Sequence, residues 1–206
     1  MGDTMENLVY HGSPYSGLKE LKIKKGSHNL ECVYATSNPA VPIIFMGKGR
    51  GDLDISISVD EEGQVVLTER REGVFEEIYK GKSGYLYTLS GENFKHYDFL
   101  WPPEVISMQN ELVLSEEKID DIYERLLECV KKGQLQLNFY PNRPKEMPLD
   151  NRDLIPKYIR YFKAGKQEAL EELLSVYPEF AGDLSLYPEL NISPQMLKTQ
   201  KQSMSK

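Results

Sequence analysis

The chain changes character once, near residue 114, and that change limits what it can fold into. Up to Leu114 the sequence consists of short β-type runs broken by glycine and proline, whereas over 115–190 apolar residues recur at helical spacing. Strands first and helices after predict an α+β fold. A chain of 206 residues has room for one well-buried core with an extension. We expect a core over 1–114, a helical extension packed on it over 115–190 and a flexible tail over 191–206, where no apolar face recurs.

Within the first part, Leu8-Val-Tyr-His-Gly-Ser13 and Cys32-Val-Tyr-Ala-Thr-Ser37 read as strands, with Leu18, Leu21 and Ile23 as a connector packing on the same core. Ala40 to Met46 reads as a short helix, with Ser37 or Asn38 as its cap, Pro39 at its first position and Gly47 at its end. The glycine-rich stretch 47–52 lacks the order of a phosphate-binding loop and reads as a plain loop. Alternation on both sides of Glu61-Glu62-Gly63 predicts a hairpin over 54–70, and 84–90 and 104–114 read as two further strands. In the second part, 115–133 reads as a helix stopped by Gly133, with Ile119, Ile122, Leu126, Leu127 and Val130 in one stripe. A proline-rich link over 140–150 then leads into two helices over 152–180, hinged at Gly165.

Hydrophobic residues make up 40% of the chain and charged residues 28%, which is the balance of a folded protein and excludes a disordered one. The net charge of -7 supplies no general attraction to nucleic acid or to anionic lipid, so both are disfavoured as partners. No stretch approaches the ~20 continuous apolar residues of a membrane span, and Met1 to Ser13 has no signal-peptide pattern. Cys32 and Cys129 lie far apart in apolar surroundings without CxxC spacing, so we read them as reduced core thiols of a cytoplasmic protein. Three dispersed histidines, His11, His28 and His96, do not form a metal site, and His28 reads as a surface-turn residue. The aromatics Phe94, Tyr97, Phe99 and Trp101 around His96 read as core.

Candidate chemistry rests on three residues. His11 closes one strand, Tyr34 lies in the next, and Glu111 sits inside an apolar run where a carboxylate is costly to bury without a partner. A histidine at a strand end is by itself an ordinary structural residue; the ordered set is what singles these three out.

That set resembles the His-Tyr-Glu signature of the ADP-ribosyltransferase superfamily, in its diphtheria-toxin-like and poly(ADP-ribose)-polymerase-like branches: His11-Gly12-Ser13 after an apolar strand, Tyr34-Ala35-Thr36 leading into a helix, and Asn110-Glu111 in a late strand. Phe45 stands eleven residues after Tyr34, where that family places a second aromatic. The resemblance covers about 8–114 and implies a split β-sheet core that takes NAD as a substrate, with catalytic residues Glu111, His11 and Tyr34. NAD would be held by His11, Gly12, Ser13, Tyr34, Thr36 and Phe45, the two aromatics enclosing the nicotinamide ring. Glu111 would stabilise the positive charge that develops as the bond to nicotinamide breaks.

The sequence departs from that pattern in places. Pro42 stands where polymerase-like members carry a serine, and Gln109, two residues before Glu111, stands at the position that bears on the acceptor. The expected function is a mono-ADP-ribosyltransferase-like protein acting on an unknown acceptor, either protein or small molecule. Two alternatives stand beside it: a catalytically silent module of the same fold, for which Pro42 speaks, and an RNA 2'-phosphotransferase-like enzyme, which needs basic pocket residues in place of the glutamate, a part Lys48 and Arg50 could serve.

Overall fold

The computed structural model describes residues 7–26, 30–47 and 49–190. His28, Lys48 and the tail over 191–206 lie outside the described residues. The chain forms two compact units, divided between Asn142 and Arg143.

Among the described residues the first unit has ten strands. β1 (Leu8–Ser13), β2 (Glu20–Leu21), β3 (Lys24–Lys25) and β4 (Glu31–Thr36) precede α1 (Ala40–Met46). The hairpin β5 (Ile55–Val59) and β6 (Val65–Glu69) leads to α2 (Val74–Tyr79), then β7 (Gly84–Ser90), β8 (Glu104–Ser107) and β9 (Glu111–Ile119). α3 (Ile122–Lys131) and β10 (Gln136–Asn138) complete it. The larger sheet is antiparallel and curled, and runs β8, β4, β1, β7, β9, β2, with β3 also pairing β4; β5, β6 and β10 form a second, three-stranded sheet.

The main core lies between α1, α2, α3 and the sheets, around Ala40, Val41, Ile43, Leu67, Phe75, Ile122 and Leu126. These helices are short and lean on packing, because so few turns do not hold a helix in water by themselves. α1 begins at Ala40, one residue after the Pro39 start expected; the Asn38 side-chain oxygen accepts the Ala40 amide at 2.9 Å while its amide donates to the Gln134 carbonyl at 2.7 Å. A second cluster fills the other side of the large sheet, with Val9, Leu21, Val33, Ala35, Leu89 and Phe94. Cys32 and Cys129 are both buried and free.

The second unit holds α4 (Leu154–Lys163), α5 (Ala169–Val176) and α6 (Ala181–Leu184), with single helical turns after α5 and α6. Leu154, Ile155, Tyr158, Leu170, Leu173 and Phe180 are buried in it. Gly165, at φ 95°, makes the expected break between α4 and α5 in a backbone region that other residues enter at a cost.

Three expectations are corrected. The run 104–114 is two strands, because Met108 to Asn110 forms an exposed turn in which the Gln109 amide bonds the Ser107 hydroxyl at 3.4 Å. The helix expected from Ser115 begins at Ile122: residues 115–119 pair with β7 instead, and Asp121 caps the helix by accepting the Tyr123 and Glu124 amides. The first compact unit accordingly runs on to Asn142, so the boundary expected at 114 falls inside β9 and leaves α3 and β10 on the wrong side. Among the described residues no helix is long and apolar enough to cross a membrane.

Candidate functional site

A cleft of about 240 Å³ opens in the large sheet between β1 and β4. On its other side β1 pairs β7 at every position from Leu8 to Ser13, but with β4 it keeps one register pair, Tyr10 opposite Thr36. Beyond that pair the two strands part. The ring of His11 spans the gap: its Nδ1–H donates to the Tyr34 carbonyl at 2.8 Å, doing with a side chain what a ladder amide does elsewhere. A carbonyl can only accept, so the proton sits on Nδ1 and the Nε2 lone pair is left as the acceptor in the neutral ring. Burial, the larger cause, and the nearby Lys24 cation push the imidazole below its ordinary range, while the bond to Tyr34 works the other way. The ring is therefore neutral at pH 7.

The cleft is lined by His11, Gly12, Tyr34, Thr36 and Phe45, among others, so five of the six residues expected to hold a cofactor share one wall. Gly12 belongs there for a steric reason. A Cβ on it would lie 2.6 Å from the Pro42 carbonyl oxygen, so strand and helix approach this closely only because the side chain is absent. The Tyr34 ring lies over Gly26, where a Cβ would come within 2.2 Å of its Cε2. Phe45, at the end of α1, is 57% exposed and gives the cleft an apolar, solvent-facing lip. The Thr36 hydroxyl is spent on its own turn, donating to the Asn38 carbonyl at 2.8 Å.

Ser13 is the exception. It is buried and outside the cleft lining, and its hydroxyl accepts the Tyr15 amide at 3.1 Å, which makes it a turn residue.

Glu111 is also absent from the cleft. It is 5% exposed in the seam where β9 leaves β8 and meets β2; the Ser107 hydroxyl donates to Oε1, and Asn93 Nδ2 donates to Oε2 at 3.3 Å. The partner whose absence would make this burial costly is present, and the carboxylate closes a turn.

A different carboxylate lines the cleft. Glu104 opens β8, directly opposite Thr36, and antiparallel pairing puts Glu104, Thr36 and Tyr34 on one face of the sheet. Its Oε2 accepts the Trp101 amide at 3.2 Å, and its carbonyl accepts His96 Nδ1–H at 2.8 Å, so the loop before β8 holds it from both ends. A glutamate immediately after Pro102-Pro103, at the first position of a strand, was the available signal. With Glu104 as the cleft carboxylate, the residue two positions before it is Pro102, and Gln109 lies in the exposed turn.

Of the aromatics expected in the core, Phe94 is buried, whereas Tyr97 and Phe99 are exposed and stacked on each other at 5.6 Å. Arg50, a residue offered for the RNA-directed alternative, is paired with Asp54, with Nη2 to Oδ1 at 2.7 Å. Among the described residues no group of three or more His, Cys, Asp or Glu side chains could hold a metal ion.

Compared with protein-family models, with curated proteins and with solved structures, the chain matches none.

Proposed function

We propose that the cleft between β1 and β4 binds NAD and that the protein is an ADP-ribosyltransferase-like enzyme of the cytoplasm, with Glu104 as its working carboxylate. The observation that carries this reading is the convergence of His11, Gly12, Tyr34, Thr36 and Phe45 on one cleft that also holds a glutamate. The neutral His11 presents Nε2 to a ribose hydroxyl, which donates to it. Tyr34 and Phe45 offer ring faces to a flat heterocycle and keep water from it. Gly12 lines the cleft without a side chain that would stand between a ligand and α1.

The step itself is a substitution at the anomeric carbon. The bond to the nicotinamide nitrogen breaks, and the bonding pair leaves with the ring and neutralises its pyridinium charge. An acceptor nucleophile supplies the new pair from the opposite face and gives up its proton. Positive charge builds on the ribose in between, and a fixed carboxylate at Glu104 stabilises it, an effect worth about 3 kcal/mol where water is excluded.

A second reading, a silent module of the same kind, draws on Pro42. It lines the cleft with an aliphatic ring and spends its carbonyl on close packing with Gly12, so it offers a carboxamide no hydroxyl. Isothermal titration with NAD, with His11→Ala as control, tests the proposal. Binding that the substitution removes supports it. No heat up to millimolar NAD rejects both readings of the cleft as an NAD site, and binding without nicotinamide release leaves the silent one.

A further inference from the structure

The segment from Leu18 to Gly26 carries four lysines, Lys19, Lys22, Lys24 and Lys25, in a chain whose net charge is -7. Its last part is β3, which pairs β4 just ahead of Tyr34 and so borders the cleft. The two lysines of β3 are placed differently. Lys25 stands opposite the acidic residue Glu31, with no ion pair between them among the described residues, whereas Lys24 stands opposite Cys32, which is buried.

Pairing sets Lys24 on the same face as Cys32, and alternation along β4 sets Tyr34 and Thr36 on that face too. Gly26, two residues beyond Lys24, lies under the Tyr34 ring. Lys24 is exposed and, among the described residues, has no ion-pair partner. Its cation is near enough to the cleft to help hold the His11 imidazole below its ordinary range, after burial as the larger cause. A lone ammonium beside an apolar cleft attracts anions through low-dielectric surroundings more strongly than an ordinary surface lysine does.

We infer that Lys24 is an anion-binding residue at the rim of the cleft and that it takes the phosphate or pyrophosphate group of a nucleotide whose other end lies against Tyr34 and Phe45. This rests on the cleft being a nucleotide site, as proposed above, and adds the residue that distinguishes a ligand with a phosphate bridge from a bare nucleoside. Lysine binds phosphate as a point charge with three donors and needs no fixed fork geometry, which suits a rim position.

The test is titration of the full chain with inorganic pyrophosphate, with NAD and with nicotinamide riboside, for the natural protein, Lys24→Glu and Lys25→Glu. Thermal melts check that both variants fold, as expected for exposed positions. Loss of one charged contact predicts that Lys24→Glu weakens pyrophosphate and NAD by about tenfold. Nicotinamide riboside should be unchanged, and Lys25→Glu should cost less than threefold. Equal losses in the two variants, no loss in either, or no pyrophosphate binding by the natural protein overturns the inference. Pyrophosphate that binds through Lys24 while NAD binds no better than pyrophosphate upholds the anion site and removes the NAD reading of the cleft, so the two failures are distinguishable.

Discussion

β1 has two neighbours and treats them differently. Against β7 it pairs from end to end, whereas against β4 it pairs once, at Tyr10 and Thr36, and then parts. The first seam is closed by backbone hydrogen bonds and the second by one imidazole, and only the second has room for a ligand. The two glutamates of the β8–β9 region divide the same way. Glu104 stands on the open side, opposite Thr36, and Glu111 is sealed by Ser107 and Asn93. A site forms here where a strand gives up its ladder partner and side chains take over part of the bonding. Of the two carboxylates, Glu104 is the one that lines the cleft.

This contrast can be broken from either side. Gly12→Ala should have the largest effect on the fold, because its Cβ would meet the Pro42 carbonyl at 2.6 Å and neither backbone yields easily. We expect a stability loss of about 1–3 kcal/mol in denaturant titration, with NAD affinity lost as α1 moves. A variant as stable as the natural protein would mean that β1 and α1 are not held together as described.

Glu111→Ala attacks the sealed side. It strands the Ser107 hydroxyl and the Asn93 amide and should cost about 2 kcal/mol, with Glu111→Gln costing roughly half as much because it keeps the shape and one acceptor. Neither should weaken NAD binding by more than about threefold once folding is allowed for. A selective loss of binding in Glu111→Gln would return that residue to the site.

The smallest effect concerns pH. His11 is held below its ordinary value of 6.5, first by burial and then by Lys24. As pH falls through 6.5 the unfolded chain takes up a proton at this position that the folded chain refuses. The contribution is constant above 6.5 and turns against folding below it, until the pH reaches the folded value. Comparing the natural protein with His11→Asn in denaturant at several pH values should show a steeper loss of stability below pH 6.5 in the natural protein. Parallel curves would mean that the imidazole is not held neutral.

Much of the frame is legible in the sequence. β1, β4, the hairpin of β5 and β6, α1 and the break at Gly165 follow from alternation, caps and punctuation that act locally. The histidine and tyrosine of the cleft are legible for the same reason, since each sits at a definite place in a short strand. The carboxylate is not. In 104–114 the eye goes to Glu111, the charge inside an apolar run, yet burial there is satisfied by Ser107, a residue four positions away that only the turn brings near. Glu104 looks like an unremarkable strand opener until pairing with β4 sets it beside Thr36. Register between strands separated by seventy residues is decided by tertiary packing. That same force draws 115–119 into β9 against their helical spacing.

The most direct measurement is nicotinamide release from NAD by the natural protein, Glu104→Gln and Glu111→Gln, each at equal folded concentration. The account predicts turnover in the natural protein, a fall of about a hundredfold or more in Glu104→Gln and a change within about threefold in Glu111→Gln. Turnover that survives in Glu104→Gln and disappears in Glu111→Gln would contradict it, as would a natural protein that binds NAD and releases no nicotinamide.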